Sequence, residues 1–338
     1  CPMQILCSLS RLVLSGILFF VSTAIMRVEA ASIPESLNVQ GGFIVHLGCG
    51  KGERTLDLRP NERYQVHGLD EDPRNVSQAR AKVKAAGVYG PVSIDRLAGK
   101  TLPYIDDMVN LVVVEKLGEV PMTEVMRVLA PKGVAHVNHG GEWKTTVKPR
   151  PNDIDDWTHF LHGPGGNAVA RDKKVGPPRH LQWLGSPRWS RHHDRMASMS
   201  ALVSSGGRVF YVMDEGSRVS IQLPARWTLV ARDAFNGVIL WKKPMKKWHS
   251  HLWPLKSGPT QLARRLVAVG GQVYVTLGVD EPVSVLDAAT GKLIYELPGS
   301  KGAEEVIVDS GQVFVLESPA EWELNSFLPF HNTGDLAR

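Results

Sequence analysis

Three glycines and one aspartate carry the first chemistry legible in this chain. Gly48, Gly50 and Gly52 alternate with Cys49 and Lys51 directly after the apolar run Phe43-Ile44-Val45-His46-Leu47, and Asp70 follows 20 residues past Gly50. A strand that feeds a glycine turn and then a helix brings backbone N–H groups up to a ligand, and a Cβ at those positions would block the approach. A carboxylate at this spacing is placed to accept the hydroxyls of a ribose. The pattern points to a nucleotide-type ligand held by backbone and one acid.

Two further groupings could do chemistry. Asp153, Asp155, Asp156, His159 and His162 lie close together, and seven of the twelve histidines fall between 159 and 251, among them His192, His193, His249 and His251. Imidazoles and carboxylates so concentrated can ligate a metal or move protons. The spacing fits no zinc pattern, and the glycine and closing glutamate of a calcium loop are missing. Loop hydrogen bonding is the simpler reading, and no metal site is expected.

The second grouping is cationic. Residues 171 to 265 carry 18 Lys/Arg against 5 Asp/Glu, a balance of +13 in a chain of formal charge +5, so the remainder sums to −8. Arg188, Arg191 and Arg195 surround Trp189, and Lys242, Lys243, Lys246 and Lys247 lie between Trp241 and Trp248. Guanidinium forks suit carboxylate or phosphate, and an indole stacks on a sugar face. The band predicts an acidic polymer or envelope protein as partner, ahead of nucleic acid.

The elements that must position these residues follow from pattern. Helix-compatible Glu53 to Leu58, a strand Tyr64 to Leu69, a helix Pro73 to Ala86, strands at Val92 to Ile94 and Met108 to Glu115, a helix Thr123 to Leu129 and a strand Val134 to Val137 alternate in order. Such alternation predicts a parallel sheet covered by helices on both faces, with no further strand after Val137. Pro149 to Pro178 reads as an irregular linker. Beyond it, Gly206-Gly207-Arg208-Val209-Phe210 matches Gly270-Gly271-Gln272-Val273-Tyr274 and Ser310-Gly311-Gln312-Val313-Phe314. Asp233-Ala-Phe-Asn-Gly237 likewise matches Asp287-Ala-Ala-Thr-Gly291, each with an aromatic residue four past the glycine. Glycine turns feeding alternating strands predict hairpins, and repeats of about 40 to 60 residues with about four strands each predict propeller blades.

Composition agrees with two domains. The 338 residues are 43% hydrophobic and 22% charged, which excludes wholesale disorder and a membrane bundle. Three cysteines, two of them in the first seven residues, exclude a disulfide scaffold. Arg11, the apolar stretch Leu12 to Met26 and the small residue Ala30 read as an export signal over residues 1–30, with an uncleaved anchor as the alternative. It is the one feature that predicts membrane contact, and it predicts a periplasmic or cell-envelope location. With Cys1 and no initiator Met, and with repeats that stop short of a closed ring, the chain reads as a fragment.

The run His46-Leu47-Gly48-Cys49-Gly50-Lys51-Gly52 resembles the first motif of class I S-adenosylmethionine-dependent methyltransferases. Leu102-Pro103-Tyr104, Val109-Asn110-Leu111-Val112-Val113 and Val128-Leu129-Ala130-Pro131-Lys132-Gly133 resemble later landmarks of that family in the same order, over residues 41–140. The resemblance implies S-adenosylmethionine as cofactor, with Gly48, Gly50 and Gly52 at its methionine end and Asp70 on its ribose. Two positions depart from it. His46 and Ala98 stand where the family usually carries acids, and no catalytic residue can be assigned. The later repeats, residues 201–338, resemble the quinoprotein (PQQ-like) propeller. Pyrroloquinoline quinone itself is not expected, because the paired cysteines common in those dehydrogenases are missing.

The expected architecture is thus an α/β Rossmann-like domain at 41–140, a Trp/His-rich connector at 141–200 and a partial all-β propeller at 201–338. This order resembles a group of large exported bacterial proteins. The leading function is a methyltransferase-like, cofactor-binding domain coupled to a propeller binding platform. The alternatives are a non-enzymatic exported scaffold with a structural Rossmann unit and, third, a quinoprotein oxidoreductase.

Overall fold

A computed structural model describes residues 31–174, 181–187, 191, 198–220, 222–249 and 260–317. The expected leader lies outside these residues, as do Arg188, Trp189, His192, His193, Arg195 and His251. After a short helix α1 (Ile33–Ser36) come β1 (Gly42–Leu47), α2 (Glu53–Asp57), β2 (Tyr64–Asp70), α3 (Pro73–Ala85), β3 (Val92–Arg96), β4 (Val109–Val114), α4 (Met122–Val128), β5 (Leu129–His139) and β6 (Glu142–Val147). They form one sheet in the order β3-β2-β1-β4-β5-β6. All neighbours are parallel except β5 and β6.

The central strands are apolar throughout because both their faces are covered. On one face Val45, Leu47, Val112, Val114 and Ala135 pack with Val125 and Val128 of α4. On the other Ile44, Val66, Leu111 and Val113 pack with Val76, Ala79 and Val83 of α3. Helix α3 starts where its residues dictate: the Asp72 carboxylate accepts the Arg74 N–H at 2.8 Å, and Pro73 takes a first-turn position that needs no N–H.

Strand β6 corrects the expectation that nothing follows Val137. It returns antiparallel to β5 through a turn in which Gly140 and Gly141 both hold positive φ, +70° and +110°. Its Glu142, Lys144, Thr145, Thr146 and Val147 are exposed, so an edge strand lacking a hydrophobic run left no periodic signal. The sheet thus reaches one strand past the expected boundary at 140.

The C-terminal region is antiparallel. Strands β7 (Met199–Ser205), β8 (Arg208–Asp214), β9 (Trp227–Asp233) and β10 (Ile239–Pro244) form one four-stranded meander. After α5 (Thr260–Ala263), β11 (Leu266–Val269), β12 (Gln272–Thr276), β13 (Val283–Asp287) and β14 (Leu293–Glu296) form a second, and β15 (Ala303–Asp309) pairs with β16 (Gln312–Glu317). The hairpin turns repeat in backbone detail, with φ of +60° and +82° at Gly206-Gly207, +60° and +81° at Gly270-Gly271, and +48° and +78° at Ser310-Gly311. Two successive positive φ values are what a two-residue hairpin of the twisted type requires. Asp233 and Asp287 each accept two N–H groups of the turns that follow them, at 2.8 to 3.2 Å.

Indoles lock neighbouring units. Trp241 donates its Nε1–H to Ala288 O at 3.1 Å and lies over Gly291, where a Cβ would meet its ring at 2.6 Å. Trp183 of the connector repeats this on the first meander, donating to Ala234 O at 2.9 Å over Gly237. The connector also bonds to equivalent positions of three sheets. Ser204 N–H donates to Trp157 O at 2.7 Å, Ala268 N–H to Thr158 O at 3.0 Å, and Val308 N–H to Nε2 of His159 at 3.1 Å. Each donor lies two residues before its hairpin turn, so three consecutive connector residues serve three consecutive repeats.

One polar joint fixes the α/β sheet to the first meander. The Asn110 side chain accepts from Phe43 N–H and from Asn236 Nδ2, each at 2.7 Å, and donates to the Asp233 carboxylate at 2.7 Å. These residues meet at the N-terminal ends of the sheet strands. The opposite, C-terminal ends carry the site.

Candidate functional site

At those C-terminal ends a cleft of about 380 Å³ is walled by Leu47, Gly48, Gly50, Asp70, Leu97 and Lys116, among others. The turn is pinned by Gly48 N–H and Cys49 N–H donating to Leu69 O at 2.9 and 3.0 Å, and it runs through positive φ at Gly48, Gly50 and Gly52. The three glycines are required for different reasons. At Gly48 a Cβ would meet the Lys116 backbone at 3.0 Å, and at Gly52 it would meet Ala79 Cβ of α3 at 2.9 Å. At Gly50 nothing stands within 4 Å, because that position opens into the cleft. The structure therefore brings Gly48, Gly50 and Asp70 together at the cleft, whereas Gly52 sits in the packing of α2 against α3.

Asp70 is buried at the end of β2. Its Oδ2 accepts Gly50 N–H at 2.8 Å, and its Oδ1 accepts Asp72 N–H and Asn75 Nδ2, each at 3.0 Å. A carboxylate has about four lone-pair directions, so three are used and one remains for a ligand hydroxyl. Asn75 was invisible to spacing arguments, and its one signal is a place in the first turn of α3, five residues past the acid. Glu71 completes the rim, its carboxylate lying where a Cβ on Gly118 would sit.

Behind the turn lies His46. It is buried, its Nδ1 pairs with Thr55 Oγ1 at 2.8 Å, and its Nε2 faces the Glu115 carboxylate at 3.7 Å. Burial lowers its pKa to about 4, against the opposing pull of Glu115, so the ring is neutral at pH 7. Glu115 is engaged by Arg54, which itself lies over the Trp143 ring at 5.3 Å. Burial pushes the Cys49 thiol up to about 12, which keeps it protonated and removes it as a nucleophile. On the opposite wall Leu97 is buried, and the side chain of Ala98 beside it offers no acceptor.

Described members of the other groupings make the following contacts. The Asp155 carboxylate takes His162 Nε2 at 2.7 Å and Arg171 N–H at 2.7 Å, and His159 is held between Thr158 and Val308. Among the described residues no group of three or more His, Cys, Asp or Glu converges as a metal site. In the basic band, Trp241 and Trp248 are buried in the core between the meanders. They cannot stack on a sugar, which corrects that part of the expectation. Lys242 pairs with Glu215 at 2.6 Å and Lys246 with Glu281 at 2.9 Å.

Residues 44–133 match the family model of a methyltransferase domain. The α/β unit thus has the Rossmann-like fold of class I methyltransferases. Among solved structures, similarity is found to a candidate S-adenosyl-L-methionine-dependent methyltransferase from Methanococcus maripaludis, at 18% identity over 32% of this chain and 53% of that one, with a TM-score of 0.30. The [4+2]-cyclase SpnF is 21% identical over 30% and 43% of the two chains, TM-score 0.27. A geranyl diphosphate methyltransferase in complex with GPP and sinefungin is 17% identical over 29% and 38%, TM-score 0.27. This chain spans about half the length of the first of these or less of the others. No curated protein matches it.

Proposed function

We propose that the cleft at Gly48, Gly50 and Asp70 binds S-adenosylmethionine, and that the chain is a methyltransferase-like protein whose β region is a PQQ-like propeller serving as a binding platform. One observation carries the cofactor reading. The carboxylate at the end of β2 lines the same cleft as Gly50, the one of the three turn glycines whose Cβ position is open, and it keeps a lone pair unused. Asp70 would hold the ribose and the Gly48–Gly50 backbone the methionine end. When bound, the cofactor supplies an electrophilic methyl group on a cationic sulfur. Transfer then needs chiefly an acceptor held in line, so the chain's part is orientation. Three hairpins with the same turn, anchored at equivalent positions by Trp157 to His159, support rotational repeats of propeller type. Export to the envelope rests on the leader pattern alone.

A second reading, a scaffold whose Rossmann unit is structural, draws on two observations. His46 is a neutral core histidine where the family usually has an acid, and Ala98 provides no side-chain partner for an adenine amine. Calorimetry separates the two readings. Asp70→Ala in the full chain should weaken S-adenosylhomocysteine binding about 10- to 150-fold, the loss of a charge-assisted hydrogen bond of about 1.5–3 kcal/mol. Unchanged affinity would remove Asp70 from the site.

A further inference from the structure

The first meander carries a loop that the second lacks. Twelve residues, 215–226, join β8 to β9, where six, 277–282, join β12 to β13. The longer loop is built around a buried ion pair. Arg191 and Asp214, with side chains 1% and 3% exposed, meet at 2.6 Å. Asp214 Oδ1 accepts Gly216 N–H and Arg226 N–H, each at 2.8 Å, and so ties the two ends of the loop together. Arg191 donates to the carbonyls of Ser217, at 2.9 Å, of Ser220 and of Leu223, which fixes its middle. Gly216 has to be glycine, since a Cβ would stand 2.7 Å from Arg191 Nη1 and 2.8 Å from Pro224 O. These bonds hold both ends and the middle of the loop in one geometry. Here that geometry walls a cleft of about 350 Å³ whose rim bears Arg218, Arg226 and Lys242.

Lys242 is matched by Glu215, and Arg191 by Asp214. The side chains of Arg218 and Arg226 have no hydrogen-bond or ion-pair partner among the described residues. Among the described residues, Arg218 and Arg226 are therefore the two guanidinium groups that line this cleft without a partner.

We propose that this cleft is an oxyanion site that takes the carboxylate or phosphate of an acidic ligand on Arg218 and Arg226. It moves the anionic-partner expectation of the basic band from the Trp241–Trp248 segment, whose indoles are buried, to a preorganised loop. Paired planar forks favour a bidentate oxyanion over a diffuse negative field. The site is independent of the cofactor cleft, and either proposal can fail without the other.

The test is the thermal unfolding of the full chain titrated with inorganic phosphate and, separately, with galacturonate, each against sodium chloride at matched ionic strength to remove screening. The wild type should gain midpoint temperature saturably with at least one oxyanion beyond the chloride control. Phosphate alone, galacturonate alone or both identifies the source. Arg218→Gln/Arg226→Gln should raise the half-saturating concentration at least tenfold while keeping the ligand-free midpoint, since both side chains are exposed and unpartnered. Lys292→Gln, on the second meander, should respond as wild type. No oxyanion gain over chloride, or equal titration by the double variant, overturns the proposal.

Discussion

Asn110→Asp should break the joint between the α/β sheet and the first meander. Asn110 works there because an amide has both polarities: its oxygen receives Phe43 N–H and Asn236, and its nitrogen feeds the Asp233 carboxylate, all at 2.7 Å. The substitution keeps the shape and the acceptor but turns the donor into a second carboxylate oxygen facing Asp233. Burial already pushes the Asp233 pKa up, with the Asn110 hydrogen bond opposing, so that carboxylate has little water to fall back on. Asp233 keeps its two turn N–H bonds, but a second buried carboxylate set against it without a counter-charge costs about 3–5 kcal/mol. Two carboxylates in contact raise the pKa of the pair in the folded state above the unfolded value of about 3.9. The penalty is then small near pH 4 and grows as the pH rises through the folded pKa. Urea unfolding of the full chain at pH 5 and pH 7.5 measures this, with Asn110→Ala as a control that loses all three bonds without adding charge. We expect Asn110→Asp to lose about 3–5 kcal/mol at pH 7.5 and less at pH 5, and Asn110→Ala to lose about 2–4 kcal/mol at both. An Asn110→Asp protein within 1 kcal/mol of wild type at pH 7.5 would refute the joint.

The remaining predictions concern the glycines and His46. Gly237→Ala and Gly291→Ala put a Cβ 2.4 and 2.6 Å from the Trp183 and Trp241 rings at positive φ, and each should cost about 2–4 kcal/mol. Gly270→Ala, at φ +60° with open space, should cost only about 1–2 kcal/mol, and equal losses at all three would count against indole locking. Gly52→Ala should lower the melting temperature through Ala79, whereas Gly50→Ala should weaken cofactor binding at least tenfold with a smaller stability loss, by partly filling the cleft. The reverse pattern would mean that the cleft is misplaced. For His46 the folded pKa of about 4 lies below the unfolded 6.5, so the stabilisation from the neutral ring is full above pH 6.5 and lost as pH falls toward 4. That difference is worth roughly 3 kcal/mol. Between pH 7.5 and 4.5, His46→Gln should lose roughly 2–3 kcal/mol less than wild type, and parallel losses would contradict a buried neutral ring.

What could be read from sequence was local. The runs Phe43 to Leu47 and Val109 to Val114 announce central strands because both faces demand apolar residues. The Gly-Gly turns announce hairpins because few other residues accept two positive φ values. Contacts made across long separations left no such mark. Asn110 meets Asp233 over 123 residues and His159 meets Val308 over 149, and nothing in either local pattern names its partner. Gly52 was ambiguous for a physical reason: close approach to a ligand and close approach to α3 call for the same residue. Strand β6 was missed because an exposed edge lacks hydrophobic periodicity. Trp241 and Trp248 read as stacking platforms because burial is not a local property.

Whether the Gly48–Gly50–Asp70 cleft is a working cofactor site is decided by isothermal titration of the full chain with S-adenosylhomocysteine. A working site gives saturable binding at one site per chain with a dissociation constant on the order of micromolar, about −8 kcal/mol. No measurable heat at millimolar ligand, and no competition with S-adenosylmethionine in equilibrium dialysis, would contradict it.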